Sequence, residues 1–223
     1  RTAVNIPNGS TAVMARRVEP PDSLDFFPTP PWATRALMEY VLPHVDGNAC
    51  EAWDPAAGQR HMSDVLKEYF SAVYASDVFD YGDLDEIGTF VGCGPDVVSG
   101  KFATNWIITN PPFKLALYFA KHGLREATDG VALLLRSTWL EGSERYKEMF
   151  SKQPPSIVAP FVERVPMVKG RWDPKATTAT AYSWFVWEFP LKADTRLQWI
   201  PPGCRKKLTK ETDIERFAAR GRP

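Results

Sequence analysis

At 223 residues the chain can bury one large core, and its 44% hydrophobic and 24% charged content is ordinary for a soluble globular protein. Its 27 Lys and Arg balance 27 Asp and Glu, giving a net charge of zero, which excludes broad attraction to a polyanion and leaves any nucleic-acid contact to a local patch. No run of roughly 18 apolar residues suggests a transmembrane helix, and Cys50, Cys93 and Cys204 lack the C-x-x-C spacing of a zinc site or a disulfide framework.

Residues 1–24 carry Pro, Gly, Ser and Arg without apolar periodicity, so a mobile arm is expected there. The arm begins without an initiator Met and without the basic-then-apolar order of a secretory leader, and a cytoplasmic protein with free thiols is expected. Asp25 to Pro31 is too proline-rich for a helix interior or a central strand. Thr29 is placed as an N-cap with Pro30 at the first helical position. A helix is predicted over 32–41, with Ala33, Ala36, Leu37, Tyr40 and Val41 on one face.

Short strands and helices then alternate, the mark of a parallel α/β sheet. Strands are predicted over 49–53, 72–76, 105–109 and 130–135, and two more near 156–159 and 182–187. Helices are predicted over 61–70, with Met62, Val65, Leu66 and Tyr69 as a buried stripe, and over 114–126. Residues 201–223 are read as a basic tail, with seven Lys or Arg against three acids over 205–222, as one charged helix or a solvated disordered segment. The central domain is therefore drawn over 25–200.

Parallel sheets bind ligands at the carboxyl ends of their strands. Asp54-Pro55-Ala56-Ala57-Gly58 stands at such an end: Ala56 and Ala57 let a ligand approach the backbone, and Gly58 can adopt a positive φ. The loop is neither a Walker loop nor the G-x-G-x-x-G nicotinamide fingerprint. Asp77, 23 positions after Asp54, suits a carboxylate that accepts from both ribose hydroxyls of a nucleoside cofactor, or else an N-cap or a solvated loop acid.

The sharpest feature is Asn110-Pro111-Pro112-Phe113, which follows a predicted strand. Two prolines fix the chain, force Asn110 towards an extended backbone and leave carbonyl oxygens free to accept. The Asn110 side-chain oxygen and the Pro111 carbonyl can hold the two N–H groups of an exocyclic amine. That favours a pyramidal nitrogen, and both acceptors bind more strongly as positive charge develops on it. Phe113, expected to be exposed at the sheet edge, offers a face on which a flipped base can stack. A plain helix-entry turn is the competing reading.

These motifs resemble the class I methyltransferases, specifically the amino-methyltransferases of DNA, over about residues 25–188. Asn110-Pro111-Pro112-Phe113 is similar to their catalytic tetrapeptide and Asp54-Pro55-Ala56-Ala57-Gly58 to their cofactor loop. Phe26-Phe27-Pro28-Thr29-Pro30 resembles the segment covering the methionine end of the cofactor, and Gly94-Pro95-Asp96-Val97 the turn at its adenine. Small stand-alone phage and prophage proteins look most alike. The resemblance implies a Rossmann-like α/β fold, with a seven-stranded, mostly parallel sheet, helices on both faces and a reversed C-terminal hairpin. It implies S-adenosyl-L-methionine as cofactor, held by Phe27, Thr29, Asp54, Ala56, Gly58, Asp77, Asp96 and Val97. It also implies methyl transfer to a base amine, adenine N6 in DNA before cytosine N4, with no metal, carried by Asn110, Pro111, Pro112 and Phe113.

Two departures from that family stand out. Arg60 replaces its second glycine, where a side chain can force a different backbone. No separate domain remains for reading DNA, and Lys169, Arg171, Trp172 and Lys175 in the loop over 168–180 are the substitute, unless that loop is an ordinary solvated connection. RNA or a protein glutamine amide are the alternative acceptors, and a degenerate fold that binds DNA or a partner without using cofactor is the non-enzymatic alternative.

Overall fold

Along each central strand, successive side chains enter two different apolar layers, as the period of two in a pleated strand requires. The computed structural model describes residues 26–92, 98 and 104–218. The expected arm over 1–24 and the turn holding Asp96 and Val97 lie outside the described residues. In β1 (Glu51–Asp54), Ala52 faces one layer and Trp53 the other. In β4 (Trp106–Thr109) Trp106 and Ile108 oppose Ile107, and in β5 (Gly130–Arg136) Ala132 and Leu134 oppose Val131, Leu133 and Leu135. Burial on both faces is why these strands read as unbroken apolar runs.

With β2 (Ala72–Asp77), β3 (Glu86–Ile87), β6 (Ile157–Pro160), β7 (Tyr182–Glu188) and β8 (Arg196–Leu197), they form one sheet in the order β3-β2-β1-β4-β5-β7-β6-β8. β7 runs antiparallel to both β5 and β6, and every other pairing is parallel. The reversed strand near the C-terminus matches expectation. The eighth strand corrects the expected seven: β8 is only two exposed residues long, and it joins through backbone pairing to β6 rather than by an apolar pattern.

Helices cover both faces. α1 (Pro31–Ala36), continued by a wider turn over Leu37–Val41, lies in the first layer with α2 (Ser63–Leu66) and α5 (Cys204–Leu208). The Trp184 indole N–H donates to the Ala33 carbonyl at 3.2 Å and ties α1 to β7. α3 (Ala116–Glu126) presents Ala116, Phe119 and Ala120 to the second layer, with α4 (Ser143–Arg145) and Met149 nearby in the chain. None of the helices among the described residues is long and apolar enough to cross a membrane.

Three local expectations are corrected. Thr29 does not cap α1: Pro30 takes that position without a side-chain bond, and Thr29 is buried. The helix expected over 61–70 is regular only over α2, although Met62, Val65 and Leu66 are buried as expected. The described residues 204–218 form neither one charged helix nor a solvated segment. They fold back on α1, where the buried Arg35 binds Asp213 and Glu68 in bidentate fashion at 2.7–2.8 Å and donates to the Leu208 carbonyl at 2.7 Å. All five guanidinium N–H groups are thereby used. Burial works against the Arg35 charge, but its carboxylate partners outweigh it and hold the pKa above the ordinary arginine value.

Candidate active site

Three polar residues end three adjacent strands. Asp54 closes β1, Asp77 closes β2 and Asn110 follows β4. β1 lies between β2 and β4, so all three reach the same carboxyl edge, at the point where successive connections leave in opposite directions. They line a cavity of about 230 Å³ together with Phe27, Thr29, Ala56, Pro112 and Tyr81.

The loop after β1 is shaped for close approach. Gly58 adopts φ +52°, and a Cβ there would come within 2.4 Å of the Phe26 ring. The Gly58 N–H donates to Asp77 Oδ2 at 2.9 Å, and the Phe79 N–H donates to Asp77 Oδ1 at 3.1 Å. Burial pushes the Asp77 carboxyl up, and these backbone donors oppose it. Arg60 keeps a left-handed backbone at φ +63°. Its guanidinium bonds to the Asp83 carbonyl and pairs with Asp64 at 3.5 Å and Asp85 at 3.6 Å, lining a separate outer cleft with Tyr81. The side chain therefore leaves the loop's glycine-like path intact, contrary to the expectation for a non-glycine residue.

Asp54 is fully buried. Its Oδ2 accepts from the Ser63 hydroxyl at 2.8 Å, while Oδ1 makes no hydrogen bond of ordinary geometry. Burial pushes its carboxyl up to about 6, against the nearby Thr109 and Ser63 hydroxyls and the Ala56 N–H. A buried carboxylate with a spare oxygen, on a residue that borders a cavity, can receive a cation.

Asn110 is oriented by its own chemistry. Its Nδ2 donates to the Phe27 carbonyl at 2.9 Å and approaches Met167 Sδ at 3.6 Å. A carbonyl can only accept, so the amide nitrogen must face Phe27 and Oδ1 must face away. That Oδ1 is buried and makes no hydrogen bond to the protein. Pro111 is buried, and Pro112 and Phe113 are half-buried. Phe113 is not the exposed edge residue expected: its ring lies 6.0 Å from Phe27 and 6.1 Å from Tyr182.

Most of the anticipated cofactor residues converge: Phe27, Thr29, Asp54, Ala56 and Asp77 border the cavity, with Gly58 behind them. Sequence reasoning missed Tyr81, Phe26 as a wall and His61. Tyr81 stacks on Phe26 at 4.9 Å, and His61 lies 5.5 Å from Phe217. The run Phe79-Asp80-Tyr81 just beyond Asp77 was the available signal. Of the basic loop, the Gly170 N–H donates to the Phe26 carbonyl at 2.9 Å, which anchors it at the cavity rim. Arg171 and Lys175 are exposed and Lys169 is half-buried. Trp172 is a correction: it is buried with Val65 and Phe217, because its large ring gains more by packing than in solvent, so it presents no face to a nucleic acid.

Solved structures share this arrangement of strands. The methyltransferase subunit of a type I restriction-modification system from Streptococcus thermophilus superposes with a TM-score of 0.57 at 10% identity, covering 85% of this chain and 52% of the other. The fold is that of a class I methyltransferase. The modification subunit assigned to a type I restriction enzyme from Vibrio vulnificus gives 0.54 at 15% identity, covering 86% and 51%. The M protein of the type I restriction enzyme EcoKI gives 0.51 at 12%, covering 84% and 52%. The chain thus spans about half the length of these three structures. By sequence, no family model and no curated protein matches it.

Proposed function

We propose that this protein is an S-adenosyl-L-methionine-dependent methyltransferase acting on an exocyclic amine of a nucleic-acid base, with adenine N6 in DNA as the favoured acceptor. The carrying observation is the Asn110 amide, which donates to the Phe27 carbonyl and so keeps a buried, unpartnered oxygen on a residue that lines the cavity. An acceptor held rigidly beside a poor amine nucleophile is what its activation requires.

The donor set fits the cofactor. Asp54 offers an unsatisfied buried carboxylate oxygen to its ammonium, and Asp77 lies where ribose hydroxyls can donate. Phe27, Thr29, Ala56 and Gly58 wall the same space, and Asp96 and Val97 are assigned to the adenine by resemblance alone. The cofactor, when bound, supplies an electrophilic methyl.

Asn110 Oδ1 and the Pro111 carbonyl accept from the two amine N–H groups, and their hold tightens as the nitrogen turns cationic. Phe113 gives the base a stacking surface, and the extra proton leaves nitrogen after transfer, so no strong general base is needed. The type I neighbours support a DNA acceptor. The degenerate-fold reading drew its support from Arg60, whose left-handed backbone is compatible with the glycine-like path of the loop.

Asn110→Ala is expected to slow turnover by about 10²–10³-fold while changing cofactor affinity far less. Transfer of tritiated methyl to DNA, RNA and protein substrates, with calorimetry on the cofactor, checks both parts. Unchanged turnover in the variant removes the role given to Asn110, and label in protein alone removes the base acceptor.

A further inference from the structure

Arg136 ends β5, where its side chain is exposed, yet its guanidinium carbon stands 4.7 Å from the centre of the Phe113 ring. That is within the roughly 6 Å over which a ring face attracts a cation, and a planar guanidinium also stacks. Several other arginines are tied to oxygen, Arg35 to Asp213, Arg60 to Asp64, Arg171 to Asp173 and Arg205 to the Pro174 carbonyl, and Arg136 differs from all of these in standing over a ring of the candidate site. Among the described residues, no hydrogen bond or ion pair engages the Arg136 side chain.

The surroundings also lack a counter-charge in sequence. The stretch 110–118 contains no acid and carries the exposed Lys114, and 136–140 contains none either. An unpaired cation thus covers the aromatic face that the proposed reaction assigns to the target base. A base stacking there must displace the guanidinium, and a nucleotide brings a phosphate as it enters. Exposed cation–π contacts are weak, whereas guanidinium and phosphate form a charge-assisted, bidentate pair, so the exchange runs towards the bound state.

We propose that Arg136 clamps the acceptor strand: it holds the Phe113 face in the resting protein and moves to a backbone phosphate of DNA when the target base takes that face. This inference rests on the reading of Phe113 as the base platform. It makes Arg136 a positioning residue, outside the methyl-transfer step itself.

Anisotropy of a short fluorescent DNA duplex, titrated with the full chain across a range of salt, provides the test. For Arg136→Ala, the slope of log affinity against log salt is expected to shrink by about one, the loss of one phosphate contact. Arg136→Lys should keep the wild-type slope, and calorimetry should show the same cofactor affinity in all three proteins. If the wild type binds and methylates DNA and Arg136→Ala leaves the slope unchanged, the clamp is overturned and the methyltransferase reading stands. If the wild type binds no DNA at any salt, the clamp falls together with the DNA acceptor.

Discussion

Asp54 is the residue at which stability and the proposed function pull apart. Burial raises its folded pKa to about 6, above the ordinary carboxylate value of 3.8, so the buried ionised form is disfavoured. The sign follows from linkage: the favourable contribution of the protonated carboxyl is complete below pH about 4 and is lost as pH rises through about 6. At neutral pH the ionised group costs the cofactor-free protein on the order of 3 kcal/mol. Asp54→Asn should therefore raise the melting temperature at pH 7, and the gain should vanish near pH 4. Calorimetry at pH 7 should show the same variant binding S-adenosyl-L-methionine more weakly, because the ammonium loses its partner. A variant that melts lower at pH 7 and binds normally would remove both assignments. Residue identity and spacing made Asp54, Asp77 and Asn110 legible in the sequence. The orientation of the Asn110 amide was not, because it depends on the Phe27 carbonyl 83 positions away.

The elements show the same division between local and distant causes. β4, β5 and β7 were readable because continuous apolar runs leave few alternatives for strands buried on both sides. α2 was drawn too long because apolar spacing over 61–70 says nothing of the left-handed backbone at Arg60, just upstream of the predicted start. Neither the charged helix nor the solvated segment expected at the C-terminus fits residues 204–218, because Asp213 is buried against an arginine 178 positions earlier. That clamp carries its own prediction. Arg35→Met leaves Asp213 and Glu68 without their shared cation and is expected to destabilise the protein by roughly 3–5 kcal/mol. Arg35→Met combined with Asp213→Leu should recover part of that loss, since no fully buried carboxylate is then stranded. Urea unfolding of the two variants checks it, and a single variant within about 0.5 kcal/mol of wild type would show the clamp to be dispensable.

At the scale of the whole molecule, the sheet brings three strand ends and the Phe26–Phe27 segment around one cavity, and the folded-back C-terminal helices sit behind it through Phe217 and His61. The solved neighbours hold about as much chain again beyond the shared fold. A basic loop anchored at the cavity rim and an arginine over Phe113 are the DNA-facing candidates in this chain. The proposed function depends on a base amine meeting the amide oxygen of Asn110. The most direct measurement is mass spectrometry of nucleosides released from DNA incubated with the protein and S-adenosyl-L-methionine. One added methyl on the exocyclic nitrogen of adenine, formed about 10²–10³-fold more slowly when Asn110 is replaced by Ala, is the predicted result. A methyl found only on a ring carbon or on the sugar, or an equal yield from the variant, would contradict the account.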